Sequence, residues 1–325
     1  MSFRLKNFCL GFRHTLKEYF YRIKYLSWSS SWGEVDPSER ESGIAMIDGT
    51  MYHGGICDRF KGMISFYNYC RYVGKPFRIR YNFPFELTEY IVPNKYDWRI
   101  SDKDISKSIW HVRPICMRGE KGKRLLKIKT DKQIRFYSNL NLENYLHFPP
   151  FNDDWGETFN YLFKPSPLLQ MHLDQHREAI GGEYVAAVFR FQNLFGDFKE
   201  YRYRTKTDPA YREQMIKANI EEIKEIHMQN PGKKILVTAD SNTFLEQVSK
   251  LDFVYAIKGK QSHVDTKNAP QTNAIKAFID FYMIAGATKV YGVTIDKMYN
   301  SHFPICAAKV GNVPFIRIVK KLHSQ

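Results

Sequence analysis

The sequence predicts an α/β protein made of two Rossmann-like domains facing a cleft. Three observations carry the prediction. Apolar strand-like runs alternate with segments of helical period in both halves of the chain, and such alternation builds parallel sheets with crossover helices. Runs such as "ILV" within "KKILVTAD" are continuously apolar, as in strands buried on both faces. The chain has 325 residues, 43% hydrophobic and 15% aromatic, too long for one small core and rich enough for two. The domains expected are a basic amphipathic segment at 1–30, a first Rossmann-like domain at 31–182 and a second at 183–325. Residues 141–182, rich in Asn, Pro and aromatics, read as an irregular linker closing the first domain.

In the first half, "IAMIDGT" reads as a strand and residues 56–73 as a helix, with Ile56, Phe60, Met63, Ile64, Tyr67 and Cys70 on one face. A second strand follows in "KPFRIRY", and further strands in "SIWHVRPICM" and "KQIRFYSNL". The second half repeats the rhythm. Strands are expected in "EYVAAVFRF", "KKILVTAD", "FVYAIKG", "KVYGVTI" and "PFIRIV". Helices are expected in "YREQMIKANIEEIKEIHMQN", "SNTFLEQVSKL", "AIKAFIDFYMIAGA" and "SHFPICAAKV".

Lys and Arg number 49 against 34 Asp and Glu, a net charge of +15 that favours anionic partners. Five scattered cysteines without a C-x-x-C pair argue against a disulfide framework or zinc ribbon and favour a reducing, cytoplasmic setting. From Phe3 to Leu26, apolar residues recur at three and four with cations between them. This is the pattern of a helix lying on an anionic membrane surface, here the cytoplasmic face, or packed on its own domain. A nucleic-acid partner is not expected, because no nucleic-acid module accompanies the charge. His172 and His176 in "HLDQH" lack the glutamate of a zinc-protease helix and read as surface histidines.

Ligands of open α/β sheets bind beyond the carboxyl ends of the strands, so the residues just after each strand are the candidates. After the first strand comes "HGGICDRFKG". Gly54 and Gly55 let the backbone approach an anion at the helix start, and Asp58 or Arg59 either caps the helix or contacts the ligand. After "YVAAVF" stands Arg190, suited to bidentate pairing with a phosphate, or else to a structural pair with Asp197. Asp240 and Ser241 follow "KKILVTA", placed to accept from a base or ribose, or to cap the next helix. Ser301, His302 and Phe303 open the last helix as a further anion site or an ordinary cap.

The ordered set "GGICDRFKG", "VFRFQNLFGD", "VTADS", "FIDFYMIAGATKVYG" and "NSHF" resembles the GDP-fucose-dependent fucosyltransferase superfamily. That group holds the nodulation α-1,6-, the α-1,2- and the protein O-fucosyltransferases. The resemblance covers roughly residues 44–318 and implies a GT-B fold with the nucleotide held mainly by the second domain. It implies inverting transfer of fucose from GDP-fucose to a hydroxyl of a glycan or lipid-linked saccharide, without metal or other cofactor. It places Arg190 on the β-phosphate, Asp240 near guanine or ribose, Ser301 to Phe303 on the diphosphate, and the Gly54–Gly55 turn toward the donor. Asp197 and Glu200 are the candidate bases, unless a late proton transfer to phosphate dispenses with a protein base. Two family positions differ: the histidine two residues before the arginine is Val188, and the second arginine is Phe191. A non-catalytic protein of the same fold is the alternative reading.

Overall fold

A computed structural model describes residues 37–50, 53–108, 110–116, 125–139, 141–195, 208–257, 259 and 272–322. The N-terminal amphipathic segment, Asp197 and Glu200 lie outside the described residues. The described residues up to Glu86, with Pro93–Asp154, form one compact unit; Leu87–Val92 and the residues from Trp155 onward form a second.

Unit 1 is built on a four-stranded parallel sheet of β1 (Gly43–Ile47), β2 (Phe77–Tyr81), β4 (Val112–Cys116) and β5 (Gln133–Tyr137), in the order β2-β1-β5-β4. Helix α1 (Ile56–Val73) crosses from β1 to β2, with the bounds its periodicity predicts. It ends at Gly74, whose φ of 70° permits the left-handed turn that returns the chain to the sheet. Phe66 of α1 stacks on Phe136 of β5 at 4.3 Å between centroids, nearly parallel.

Unit 2 is built on a five-stranded parallel sheet of β7 (Tyr184–Phe189), β8 (Lys234–Ala239), β9 (Val254–Ala256), β10 (Val290–Ile295) and β11 (Phe315–Lys320). Their order is β11-β10-β7-β8-β9. The central strands β7 and β10 are buried at every residue, as continuous apolar runs require. The crossover helices are α4 (Pro209–Met228), α5 (Asn242–Val248), α6 (Thr272–Ala285) and α7 (Phe303–Gly311).

The domain boundary expected after residue 182 is corrected. Residues 155–180, read as irregular, form α2 (Trp155–Leu162) and α3 (Pro167–Ile180) and belong with unit 2. Between them β6 (Phe163–Pro165) pairs with the short β3 (Ile91–Pro93). The start of α3 was legible: Ser166 caps it, its hydroxyl accepting from the Leu169 amide at 3.2 Å, and Pro167 opens it. Aromatic content obscured α2, because its rings are core. Trp155 and Phe159 stack at 5.6 Å, and Phe159 packs against Phe281 of α6.

Gly62, midway along α1, marks the closest approach of helix to sheet: a Cβ there would lie 2.1 Å from the Ser138 carbonyl oxygen just past β5. Helix propensity alone favours alanine by about 1 kcal/mol. The clash outweighs it, so Gly62→Ala is expected to destabilise the protein by about 1–3 kcal/mol, read as a lower midpoint in chemical denaturation. A raised midpoint would contradict this packing.

Candidate active site

Each sheet has a point where strand order reverses: between β1 and β5 in unit 1, and between β7 and β10 in unit 2. The candidate residues gather at these points, where open α/β sheets bind ligands.

In unit 2 the register pairs Phe189 with Ala239, the last residues of β7 and β8, so the residues that follow, Arg190 and Asp240, lie side by side. Arg190 Nη1 is 3.2 Å from Asp240 Oδ2; the arginine side chain keeps 24% of its exposure and the aspartate 1%. Asp240 also binds backbone: Oδ1 accepts from the Phe191 amide at 2.7 Å and Oδ2 from the Gln192 amide at 2.8 Å. Burial raises its pKa, while Arg190 and those amides oppose the rise. Gln192 has φ of 53°, a left-handed conformation uncommon for a side-chain-bearing residue, at the point where Asp240 holds it. The Arg190 carbonyl accepts from the Tyr299 amide at 3.0 Å, tying the chain beyond β7 to the chain beyond β10.

One expectation changes here. Among the described residues Arg190 pairs with Asp240; Asp197, the other partner expected for it, lies outside them. Asp240 itself is buried, with both oxygens engaged by the protein, so it orients Arg190 and the 191–192 turn rather than meeting a base or ribose. Ser241 caps α5, accepting from the Phe244 amide at 3.1 Å. Ser301 accepts from the Phe303 amide at 3.1 Å, and His302 is the residue before the first turn of α7. The Phe303 ring packs against Phe281 of α6. These three residues lie at a helix start, as expected, and the Ser301 hydroxyl serves as a local cap.

The departures from the family pattern have a physical reading. Phe191 is 1% exposed and packs its ring against Phe195 at 4.5 Å and Phe244 at 4.8 Å. Val188 is buried in β7 between Thr238 of β8 and Gly292 of β10.

In unit 1 the turn after β1 has Gly54 at φ 71° and Gly55 as the N-terminal cap of α1, with open space where a Gly55 Cβ would be. Arg59 is buried. Its Nε donates to the Gly54 carbonyl at 3.1 Å, and its Nη1 donates to the Tyr81 hydroxyl and the Phe83 carbonyl, both at 2.8 Å. The expected ligand contact at Arg59 is therefore corrected: the guanidinium staples the glycine turn to the end of β2. Asp58 is half-exposed, 3.4 Å from Lys61 Nζ.

Sequence reasoning passed over Asp48, although the rule that found Asp240 applies to it, since it directly follows β1. Its Oδ1 accepts from the Thr50 amide at 3.0 Å, and Tyr137 at the end of β5 donates to Oδ2 at 3.4 Å. His53 Nε2 lies 4.0 Å from Oδ1 and accepts from the Gly49 amide at 3.3 Å. Burial first, and then the Arg59 charge, lower the His53 pKa to about 4 against the partial opposition of Asp48.

No family model and no curated protein matches the chain by sequence. Solved structures match it by fold. NodZ α-1,6-fucosyltransferase co-crystallised with GDP superposes with a TM-score of 0.57 at 15% identity, over 85% of this chain and 94% of NodZ. The same enzyme soaked with GDP-fucose gives 0.55 at 15% identity with the same coverage; NodZ is also solved from Bradyrhizobium. Arabidopsis thaliana FUT1 in complex with GDP gives 0.57 at 11% identity, over 90% of this chain and 73% of FUT1. The chain has the GT-B fold of these fucosyltransferases. The α/β class with two Rossmann-like domains is therefore as the sequence predicts.

The depressed His53 pKa carries a sign. The unfolded chain takes up a proton near 6.5 and the native chain only near 4, so neutral His53 contributes stability that is complete above pH 6.5 and lost as pH falls through about 4. The loss is on the order of 3 kcal/mol. His53→Gln keeps an acceptor for the Gly49 amide but does not titrate. Its melting temperature is expected to fall less than the wild type's between pH 7 and pH 4. Parallel curves would remove His53 from the acid response.

Proposed function

We propose that the protein is an inverting glycosyltransferase that moves fucose from GDP-fucose to a hydroxyl of a glycan or lipid-linked saccharide, as in polysaccharide biosynthesis. One observation carries the reading: a partly exposed arginine, oriented by a buried aspartate, stands at the strand-order reversal of unit 2. It does so in a chain that shares its fold with NodZ over 85% of its length.

In the proposed reaction the acceptor oxygen bonds to the anomeric carbon of fucose as the bond from that carbon to the β-phosphate oxygen breaks. The acceptor proton leaves to a base, and GDP departs with the bonding pair. Charge grows on the β-phosphate, where Arg190 acts as a fixed cationic donor. Because Asp240, itself held by the 191–192 amides, holds that side chain before substrate arrives, little reorganisation is needed at the moment of reaction. The one D-x-D run, Asp102–Lys103–Asp104, is a short turn of unit 1 whose Asp102 pairs with Arg80, so the leaving group is proposed to rely on Arg190 and the amides opening α7 rather than on a divalent metal.

Nucleotide preference tests the donor. GDP is expected to raise the melting temperature more than UDP, CDP or ADP, by an amount corresponding to about 2.7 kcal/mol at one hundred times its dissociation constant. A UDP shift without a GDP shift would refute the donor assignment.

Arg190→Ala is expected to lower fucose transfer, or GDP-fucose hydrolysis, by about 10²–10³-fold while the protein remains folded. Arg190→Lys should recover little, because an ammonium cannot pair bidentately with phosphate. Turnover is expected to survive excess EDTA. A folded Arg190→Ala variant with normal turnover, or activity abolished by chelator and restored by Mn²⁺, would remove this mechanism.

Phe191 and Val188 support a second reading, a GDP-binding protein without turnover, since two polar positions of the H-x-R-R pattern that the sequence resembles are occupied here by buried apolar residues. A clear GDP shift with no transfer or hydrolysis would select it.

A further inference from the structure

The carboxyl edge of the unit 1 sheet carries the Asp48–His53 cluster, and the opposite, amino edge has a different chemistry. Trp110, just before β4, is 65% exposed, although buried aromatics dominate this unit. Around it the amino edge is fixed by one buried side chain, Gln133, the first residue of β5. Its amide nitrogen donates to the Glu39 carbonyl at 2.9 Å and the Asp104 carbonyl at 2.8 Å, and its oxygen accepts from the Ser106 amide at 2.8 Å. The Gln133 backbone amide donates to the His111 carbonyl at 2.9 Å. The segments before β1, β4 and β5 are thereby held on one edge. The Ile128 carbonyl accepts from the Tyr69 hydroxyl near the end of α1, which brings residues 127–129 to the same edge.

Those segments, with the start of β4, carry Arg40, Lys107, Arg113, Lys127, Lys129 and Lys132 on the edge that Trp110 shares. Arg40, Lys107, Arg113, Lys127 and Lys129 are exposed, and Lys132 is half-buried. The carboxylates of these segments are Glu41, Asp104 and Asp131, together with Glu39 and Asp102, which pair with Arg78 and Arg80. The chain also enters the fold here, since the turn Pro37–Glu39 leads into β1, and the 36 residues before it include the run of cations from Arg4 to Lys24.

We propose that this amino edge is a docking surface for an anionic lipid bilayer. Cations held near a negatively charged leaflet attract it additively, and an exposed tryptophan settles at headgroup depth with its ring in the acyl boundary. The edge meets both requirements at once. Docking this way turns the carboxyl edge of the same sheet away from the bilayer. A basic surface that bound nucleic acid would need the cations without the lipid-seeking ring, and base-stacking aromatics in series rather than one tryptophan at a turn.

The test uses the full chain and vesicles of phosphatidylcholine with about one third phosphatidylserine, at low salt. The wild type is expected to co-sediment with these vesicles and not with pure phosphatidylcholine. Lys107→Glu with Lys129→Glu should weaken binding about tenfold or more, and Trp110→Ala severalfold, with melting temperatures unchanged. The loss of one interfacial tryptophan should also reduce quenching of protein fluorescence by brominated lipid. The proposal is overturned if the full chain ignores anionic vesicles. It is also overturned if both variants bind as tightly as the wild type, which would assign any binding to residues 1–36. Displacement of the protein from vesicles by an oligonucleotide, with tighter binding to the oligonucleotide than to lipid, would overturn it in favour of nucleic acid.

Discussion

A carboxylate deprived of water, Asp240, sets the geometry of the carboxyl edge of unit 2. Burying it costs several kcal/mol unless its oxygens find donors, and they find three: the amides of Phe191 and Gln192 and the guanidinium of Arg190. The local backbone follows from that demand. Presenting two consecutive amides to one carboxylate bends the chain after β7, and Gln192 accepts a left-handed φ to complete the bend. Arg190 gains its orientation in return. The cost of the buried charge is thus offset by contacts that also fix the cation proposed to meet phosphate.

Unit 1 solves the mirror problem with the signs reversed. Here the buried ion is a cation, Arg59, and the groups satisfying it are a carbonyl of the glycine turn, a tyrosine hydroxyl and a carbonyl past β2. Because burial, and then the positive charge of Arg59, disfavour its protonated form, the neighbouring His53 stays neutral and serves as an acceptor. In each unit one buried ion fixes the described residues just past a strand against a neighbouring strand end. A site that must hold its donors still before substrate arrives needs such fixity.

The architecture was legible in the sequence because its strongest determinant is local. Apolar runs of five or six residues and helices of 3.6 period each declare themselves, and α1 and the strands of both sheets fall where patterning places them. In the segment 155–180 only the Ser166–Pro167 start of α3 stands out in the sequence; α2 does not, because it has eight residues and its aromatic residues face a core assembled with distant α6. At the site, Arg190 and Asp240 could be found by their position after a strand, and so could Asp48. What each side chain does there was not legible. Whether an arginine is a staple, as Arg59 is, or an exposed donor, as Arg190 is, depends on which carbonyls and carboxylates the tertiary fold brings within 3 Å or so, and no spacing along the chain records that.

Phe191 bears on the sequence changes open to this protein. Its ring sits in a cluster with Phe189, Phe195 and Phe244, so the position is now committed to the interior. Placing an arginine there by one substitution would drive a guanidinium among aromatic rings, with a desolvation cost of several kcal/mol, out of scale with ordinary single changes. The backbone at 191 is also held by Asp240 and is not free to swing the new side chain outward. The residue is entrenched: an arginine could stand beside Arg190 at this position only after the surrounding cluster had been remodelled.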